Sequence, residues 1–163
     1  MIKQKGFTLT EVLIALVVVA IGVIGHAKMQ SKSMQMAQQS LFAQTANTAL
    51  SDLTQRMRSN SGLASQFIFS NLDDGAAITA SKNCSVDSCS ESEFVKSELA
   101  EWFNHLQNYL PSPRFSVSLD ATDANVYNLL VIWDAAKKGV GSGVCDTTKA
   151  DSYQCGSVSV WIQ

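Results

Sequence analysis

The chain has 163 residues, of which 46% are hydrophobic and 16% are charged, and its formal net charge is −2. This composition excludes an intrinsically disordered chain, and also a polytopic membrane protein, because only one apolar run approaches spanning length. Charge is unevenly distributed, since residues 61–163 carry twelve acidic and six basic side chains. An acidic body of this kind repels phosphate backbones, so no nucleic-acid partner is expected.

The N-terminal segment contains the most informative pattern. Lys3 and Lys5 precede an apolar stretch over residues 7–25, which is long enough for one membrane-spanning helix with a cytoplasmic N-terminus. Glu11 is the only charged residue in this stretch. A carboxylate within a lipid-embedded helix costs about 2–3 kcal/mol, so Glu11 requires a partner.

Three interpretations of this segment compete. A cleaved secretory signal peptide explains the basic start and a small-residue site around residues 25–27, and a plain single-pass anchor explains the apolar length. Both leave Glu11 without a partner. A cut between Gly6 and Phe7 supplies one, because the new α-amino group lies four residues before Glu11 on the same helix face. The amine of a neighbouring subunit is an equivalent partner.

The stretch GFTLTEVLIALVVVAIGVIG resembles the class III leader and N-terminal helix of type IV pilins and pseudopilins. A short basic leader, Gly6 before the cut, Phe7 as the first mature residue and Glu11 at mature position five all agree with that family. The resemblance implies that a prepilin peptidase cuts after Gly6 and N-methylates Phe7, and that Glu11 is needed for assembly.

The same resemblance implies a non-enzymatic filament subunit without a cofactor. Its implied partners are the prepilin peptidase, the inner membrane before assembly, and other minor and major pilins through helix–helix packing. Its implied location is the inner membrane, as a single-pass protein with a cytoplasmic N-terminus, and later the pilus on the cell surface.

Less specific features of the sequence resemble the minor pilins of the PilV type. This resemblance implies a subunit that initiates or modifies pilus assembly and adhesion. These features are a Gln/Ala-rich stem, Trp102, the Leu110-Pro111 ending of a second helix, and a strand that ends Ile132-Trp133-Asp134. Two alternatives remain open. One is a minor pseudopilin of a type II secretion system, and the other is an anchored or secreted periplasmic binding domain.

The helical pattern continues beyond the apolar stretch to about Ser59, without a Gly or Pro after Gly25. This predicts one helix of about 54 residues whose C-terminal part carries an apolar stripe. The predicted divisions are a leader (1–6), a membrane or filament-core half-helix (7–25), a helical stem (26–60) and a globular head (61–163). The stripe residues are Phe42, Ala46, Ala49, Leu50, Leu53 and Met57.

The head is predicted to be α+β. Ser90 and Glu93 form a capping box that opens a second helix, and Pro111 to Pro113 follow its end. Period-two alternation then predicts strands over 115–119, 126–133 and 158–162, whereas residues 62–89 are expected to be mainly loop. A three-stranded antiparallel sheet packed on the long helix buries these faces, and the pilin resemblance implies the same fold.

Four cysteines allow three disulfide pairings, and the sequence does not choose among them. Pairing of Cys84 with Cys89 and of Cys145 with Cys155 is favoured, because each bond then closes a loop that lacks core residues. The resemblance supports the second pair, since pilins commonly carry a disulfide-bounded loop near the C-terminus. A four-cysteine zinc site is the rival, but the spacing does not fit it, and no metal is expected.

The remaining polar and aromatic candidates do not form a catalytic pattern. His26 and His105 stand apart, and no nucleophile motif or phosphate-binding glycine loop is present. Residues 120–125 are interpreted as a turn rather than a calcium site, because their spacing departs from an EF-hand. Trp161 is out of phase with the core positions of its strand, which makes it the tryptophan proposed for an exposed contact.

Overall fold

The structure is a computed structural model that describes residues 6, 8–135, 145 and 153–163. Its helices are α1 (Leu9–Ser59), a 3₁₀ helix (Ser61–Phe67) and α2 (Glu91–Gln107), and its strands are β1 (Phe69–Ser70), β2 (Arg114–Leu119), β3 (Val126–Trp133) and β4 (Gln154–Trp161). A long N-terminal helix with a small antiparallel sheet is the architecture that the pilin resemblance implies. The α+β fold-class prediction is confirmed.

The described chain forms two compact units, one up to Ser40 and one from Leu41 to Gln163. The boundary lies inside α1, so the last turns of this helix belong to the second unit together with the 3₁₀ helix, α2 and the sheet. The division of the chain into leader, half-helix, stem and head remains a prediction.

The C-terminal part of α1 forms one side of the core of the second unit. Phe42, Ala46, Leu50, Leu53 and Met57 are all buried, as the helical stripe predicts. Ala49, also in the predicted stripe, is only partly buried. The i, i+4, i+7 spacing places the buried side chains on one face, and the other faces carry polar residues.

The four strands form one antiparallel sheet in the order β1-β2-β3-β4. Its inner face contributes Phe115, Val117, Leu129 and Val131 to the core. Gly156 of β4 lies against α1, where an added Cβ would be 3.4 Å from Leu50 Cδ1. The missing side chain lets strand and helix backbones approach closely.

The sheet has four strands, whereas the sequence predicted three, and the segment predicted as loop contains the 3₁₀ helix and β1. The buried side chain of Asn71 explains how so short a strand as β1 pairs with β2. Asn71 Oδ1 accepts a hydrogen bond from Phe115 N–H at 2.8 Å, and Asn71 Nδ2 donates to Ala76 C=O at 2.8 Å. The first bond extends the β1–β2 pairing beyond its two ladder residues, and the second holds the loop that follows β1.

The strand limits also differ slightly from the expected ones. β4 begins earlier, at Gln154, and ends at Trp161, so Ile162 is buried just beyond it. Leu119 and Val158 were expected on buried strand faces, yet 42% and 36% of their surfaces are exposed. Leu119 is the last residue of β2, and Val158 lies on the edge strand β4, where it lines an open groove beside α1.

Helix α2 begins with the predicted capping box. Ser90 Oγ accepts a hydrogen bond from Glu93 N–H, and Ser90 N–H donates to the Glu93 carboxylate at 2.9 Å. The predicted residues Val95, Leu99, Trp102, Phe103 and Leu106 of α2 are all buried, as is Ala100, and Leu110 is buried just after the helix.

Polar contacts fix α2 against α1 within the second unit. Arg56 of α1 forms ion pairs with Glu98 at 2.8 Å and with Glu101 at 3.5 Å, and also with Asp52 on its own helix. The indole N–H of Trp102 donates to the backbone carbonyl of Ala49 at 2.9 Å. This directional bond fixes the position of α2 along α1. Apolar packing alone would constrain that position less.

The capping box predicts a pH dependence of stability. Hydrogen bonds from Ser90 N–H, Lys82 and the Ser90 hydroxyl lower the pKa of Glu93 to about 2. Because the folded-state pKa lies below the ordinary value, the stabilisation is present above pH 4.5 and is lost as the pH falls toward 2. Between pH 4.5 and about pH 2, the free energy of unfolding of the wild type should therefore fall toward that of Glu93→Gln. Denaturant titration of the full chain in detergent measures both values. Asp87→Asn, at an exposed carboxylate with no ion pair among the described residues, controls for the loss of one negative charge, and an equal convergence for that variant would contradict the prediction.

Candidate processing and assembly site

The predicted cleavage site lies at the N-terminal end of the described chain. Gly6 is exposed, and nothing lies within 4 Å of the position of an added Cβ. Phe7, the predicted first mature residue, lies outside the described residues. No described residue therefore packs against Gly6, and its small size is not required by packing among the described residues.

Helix α1 begins immediately after Thr8 with a reciprocal set of hydrogen bonds. Thr8 N–H donates to Glu11 Oε2 at 2.9 Å, and the Thr8 hydroxyl donates to the same oxygen at 3.0 Å. In return, Glu11 N–H donates to Thr8 Oγ1 at 3.4 Å. Thr8 and Glu11 thus form a capping box of the same type as Ser90 and Glu93.

This capping box gives Glu11 a role that the sequence analysis missed. The carboxylate satisfies two donors at the N-terminus of α1, where the helix dipole also favours a negative charge. Glu11 therefore has partners within its own chain before any second subunit is present. The cost of holding this carboxylate is smaller than its apolar neighbours alone suggest.

The signal that identifies Thr8 is present in the sequence. A threonine followed three residues later by glutamate, just before an apolar run, is the same motif that correctly predicted the start of α2. The sequence analysis instead paired Glu11 with the Phe7 amine that cleavage creates, in the same chain or in a neighbouring subunit.

The helix after the capping box has an exposed apolar surface in the described chain. Its large hydrophobic residues from Leu9 to Ile24 are all exposed, and an 18-residue window of α1 has a mean hydropathy of 2.3. This is the one described helix that is long and apolar enough to cross a membrane. Nothing within the described residues buries this surface.

Comparison with known families supports this interpretation of the N-terminus. Residues 1–25 match the family model described as the prokaryotic N-terminal methylation motif. The match supports a type IV pilin-like or pseudopilin-like protein with a prepilin leader, a structural subunit rather than an enzyme. Such a leader implies processing by a prepilin peptidase and assembly with other pilins. Comparisons with curated proteins and with solved structures gave no match.

The four cysteines are joined as neighbours. Cys84 bonds to Cys89 with Cα atoms 5.6 Å apart, and Cys145 bonds to Cys155 with Cα atoms 5.7 Å apart. The first disulfide ends one residue before Ser90, and the second anchors β4 through Cys155. All four sulfur atoms are used in these bonds.

The other candidate residues make local contacts within the fold. Asp120 Oδ1 accepts bonds from the Thr122 hydroxyl and N–H, and Oδ2 accepts from the Asn128 side chain. These bonds hold the pKa of Asp120 well below its usual range and form the turn between β2 and β3. His105 is exposed and packs on the ring of Tyr109, with 5.0 Å between centroids.

The tryptophan prediction is confirmed in its structural part. Half of the surface of Trp161 is exposed, whereas Trp102 and Trp133 are only 2% exposed. His26 lies on α1 and contacts Gln30 through its Nε2 atom at 3.0 Å. The described residues contain no group of three or more His, Cys, Asp or Glu side chains that could hold a metal ion.

The Thr8 hydroxyl should stabilise the first turn of α1. Replacing a capping threonine by a residue without a hydroxyl costs about 1 kcal/mol, which corresponds to about fivefold in the opening equilibrium. Amide hydrogen exchange of the Glu11 N–H in Thr8→Val should therefore be about fivefold faster than in the wild type, measured on the full chain in detergent. Thr8→Ser keeps the hydroxyl and should exchange at the wild-type rate. Equal rates in all three chains would show that the capping box does not hold this turn.

Proposed function

We propose that this chain is a minor pilin-like subunit of a type IV pilus, which helps to initiate or modify pilus assembly and adhesion. The observation that carries the proposal is the methylation motif of residues 1–25 on a helix whose apolar surface is exposed. The α+β second unit supports it, because the helix–sheet arrangement is that of a pilin head. The protein starts as a single-pass inner-membrane protein with a cytoplasmic N-terminus and later becomes part of the pilus at the cell surface.

Processing by the prepilin peptidase hydrolyses the peptide bond between Gly6 and Phe7. The cut creates a free amine one residue before Thr8, and N-methylation keeps that amine basic. A cation then stands beside the first turn of α1, within reach of the Glu11 carboxylate of the same or an adjacent subunit. Cleavage thus changes the electrostatics of the helix start from one charge to two of opposite sign.

Assembly then depends on interactions between subunits that are more favourable in the filament than in the lipid bilayer. Apolar helices gain no hydrophobic free energy when they leave lipid for one another, so lateral packing needs another source of attraction. An ion pair between Glu11 of one subunit and the Phe7 amine of its neighbour supplies it. The pair must compete with the bonds that Thr8 already makes to Glu11, so its gain is the difference between the two arrangements.

Assignment to a minor pilin of the PilV type rests on softer sequence features. The Gln/Ala-rich stem, the buried Trp102 on α2, and the end of β3 at Trp133 before Asp134 support it. A minor pseudopilin of a type II secretion system shares the leader and the fold and is the second candidate. An anchored or secreted periplasmic binding domain is a candidate from a different class, and its N-terminus would be Met1 or a residue near Lys28.

Replacement of Gly6 tests the processing step. Gly6→Leu should leave an uncut chain in the inner membrane, because the peptidase site requires a small residue before the scissile bond. Mass spectrometry of the N-terminus should find N-methylated Phe7 in the wild type and Met1 in the variant. An N-terminus near Lys28 in the wild type, or a mature-size Gly6→Leu chain, would refute the prepilin assignment.

Replacement of Glu11 tests the assembly step. Glu11→Val should be inserted and cleaved like the wild type, because the change makes the membrane helix more apolar, but its amount in sheared surface filaments should fall at least about tenfold. Thr10→Val, a neutral change in the same helical turn, is the matched control and should enter filaments normally. Immunoblots of membrane and sheared fractions measure both. Wild-type levels of Glu11→Val in filaments would contradict the proposed ion pair.

A further inference from the structure

Strand β4 is an edge of the sheet, and its outer side has no strand partner among the described residues. The bond from Ile162 N–H to Asn125 C=O establishes which residues face β3. Alternate residues back from Ile162, including Val158 and Val160, direct their backbone groups to β3. The N–H and C=O groups of Ser157 and Ser159 therefore point outward, away from the sheet.

The sequence of this edge lacks the usual protection against strand pairing. Edge strands are normally blocked by charged side chains, prolines, bulges or short length. β4 has eight residues in continuous register with β3, and the segment Gln154–Trp161 contains neither a charged residue nor a proline. An open edge of this kind is a template for an added strand.

A groove of about 530 Å³ lies between β4 and the last turns of α1. Arg58, on its α1 side, is exposed and has no carboxylate within ion-pair distance among the described residues, whereas Arg56 has three. Within the part of the chain that the structure describes, the groove therefore places a cation without an ion-pair partner beside unused backbone groups.

The chemistry of this edge does not match a second copy of the same edge. The β4 segment Gln154–Trp161 contains no acidic residue, so the β4 strand of a second copy would leave Arg58 without a carboxylate. Head-to-tail pairing would use the opposite edge, β1, which has only two residues. A carboxylate-bearing strand from a different protein fits this edge better.

We propose that the β4 edge binds an extended, carboxylate-bearing segment of a different subunit of the same filament, which adds to the sheet as a fifth strand. The added segment bonds to the outward groups of Ser157 and Ser159, lies over the groove, and pairs its carboxylate with Arg58. This inference depends on the proposed function, because the partner is a filament subunit.

Ser157→Pro tests the backbone contact. It removes an outward N–H group but no bond to β3, and Ser157→Ala, which keeps the N–H, is the matched control. Ser157→Pro should be cleaved and should unfold at the wild-type denaturant concentration, yet its amount in sheared filaments should fall at least about tenfold. Ser157→Ala should enter filaments normally. Arg58→Gln should also enter filaments poorly, whereas Arg58→Lys should keep at least about half of the wild-type amount.

If Ser157→Pro fails to fold, amide hydrogen exchange of the wild-type chain tests the added strand instead. The outward amides of Ser157 and Ser159 should exchange rapidly in the full chain in detergent and at least about tenfold more slowly in filaments, whereas the Val158 and Val160 amides should be protected in both. Slow outward amides in detergent, or equal rates in both samples, would refute the added strand alone. A wild-type chain that is absent from filaments would refute the proposed function and this inference with it.

Discussion

The burial of one face of α1 is the interaction on which the second unit depends. Phe42, Ala46, Leu50, Leu53 and Met57 lie on a single helical stripe, and the sheet and α2 pack on that stripe. Gly156 allows β4 to approach it closely, and the Trp102 indole bonds directly to the α1 backbone. The head has no separate core, so damage to this face of α1 would affect the whole unit.

The same helix has the opposite character in its first half. Its apolar side chains between Leu9 and Ile24 are exposed in the described chain, and its N-terminus is closed by the bonds between Thr8 and Glu11. Helix α1 thus has a buried stripe in the second unit and an exposed apolar surface in its first half. The capping box matters because it gives the Glu11 carboxylate hydrogen-bond donors within its own chain, next to the apolar segment.

Local sequence patterns predicted much of this structure. The stripe of α1, the Ser90–Glu93 box, the buried face of α2 and the exposure of Trp161 follow from periodicity and short spacing. β1 did not, because it has two residues and depends on Asn71 contacting Phe115 far along the chain. The groove beside Arg58 was equally hidden, since it arises from the packing of α1 on β4. Thr8 was missed even though its motif was visible, and Phe7 lies outside the described residues.

The positions of the three tryptophans give the intrinsic fluorescence of the chain two distinguishable components. Trp102 and Trp133 are buried, so their indoles emit at short wavelength and are shielded from aqueous quenchers. Trp161, at the end of β4 with half of its surface exposed, emits at longer wavelength and is open to collisional quenching by iodide or acrylamide. The blue part of the fluorescence spectrum therefore reports the integrity of the core, and the quenchable red part reports what covers the outer end of the sheet. Folding and docking can be followed in one unlabelled sample.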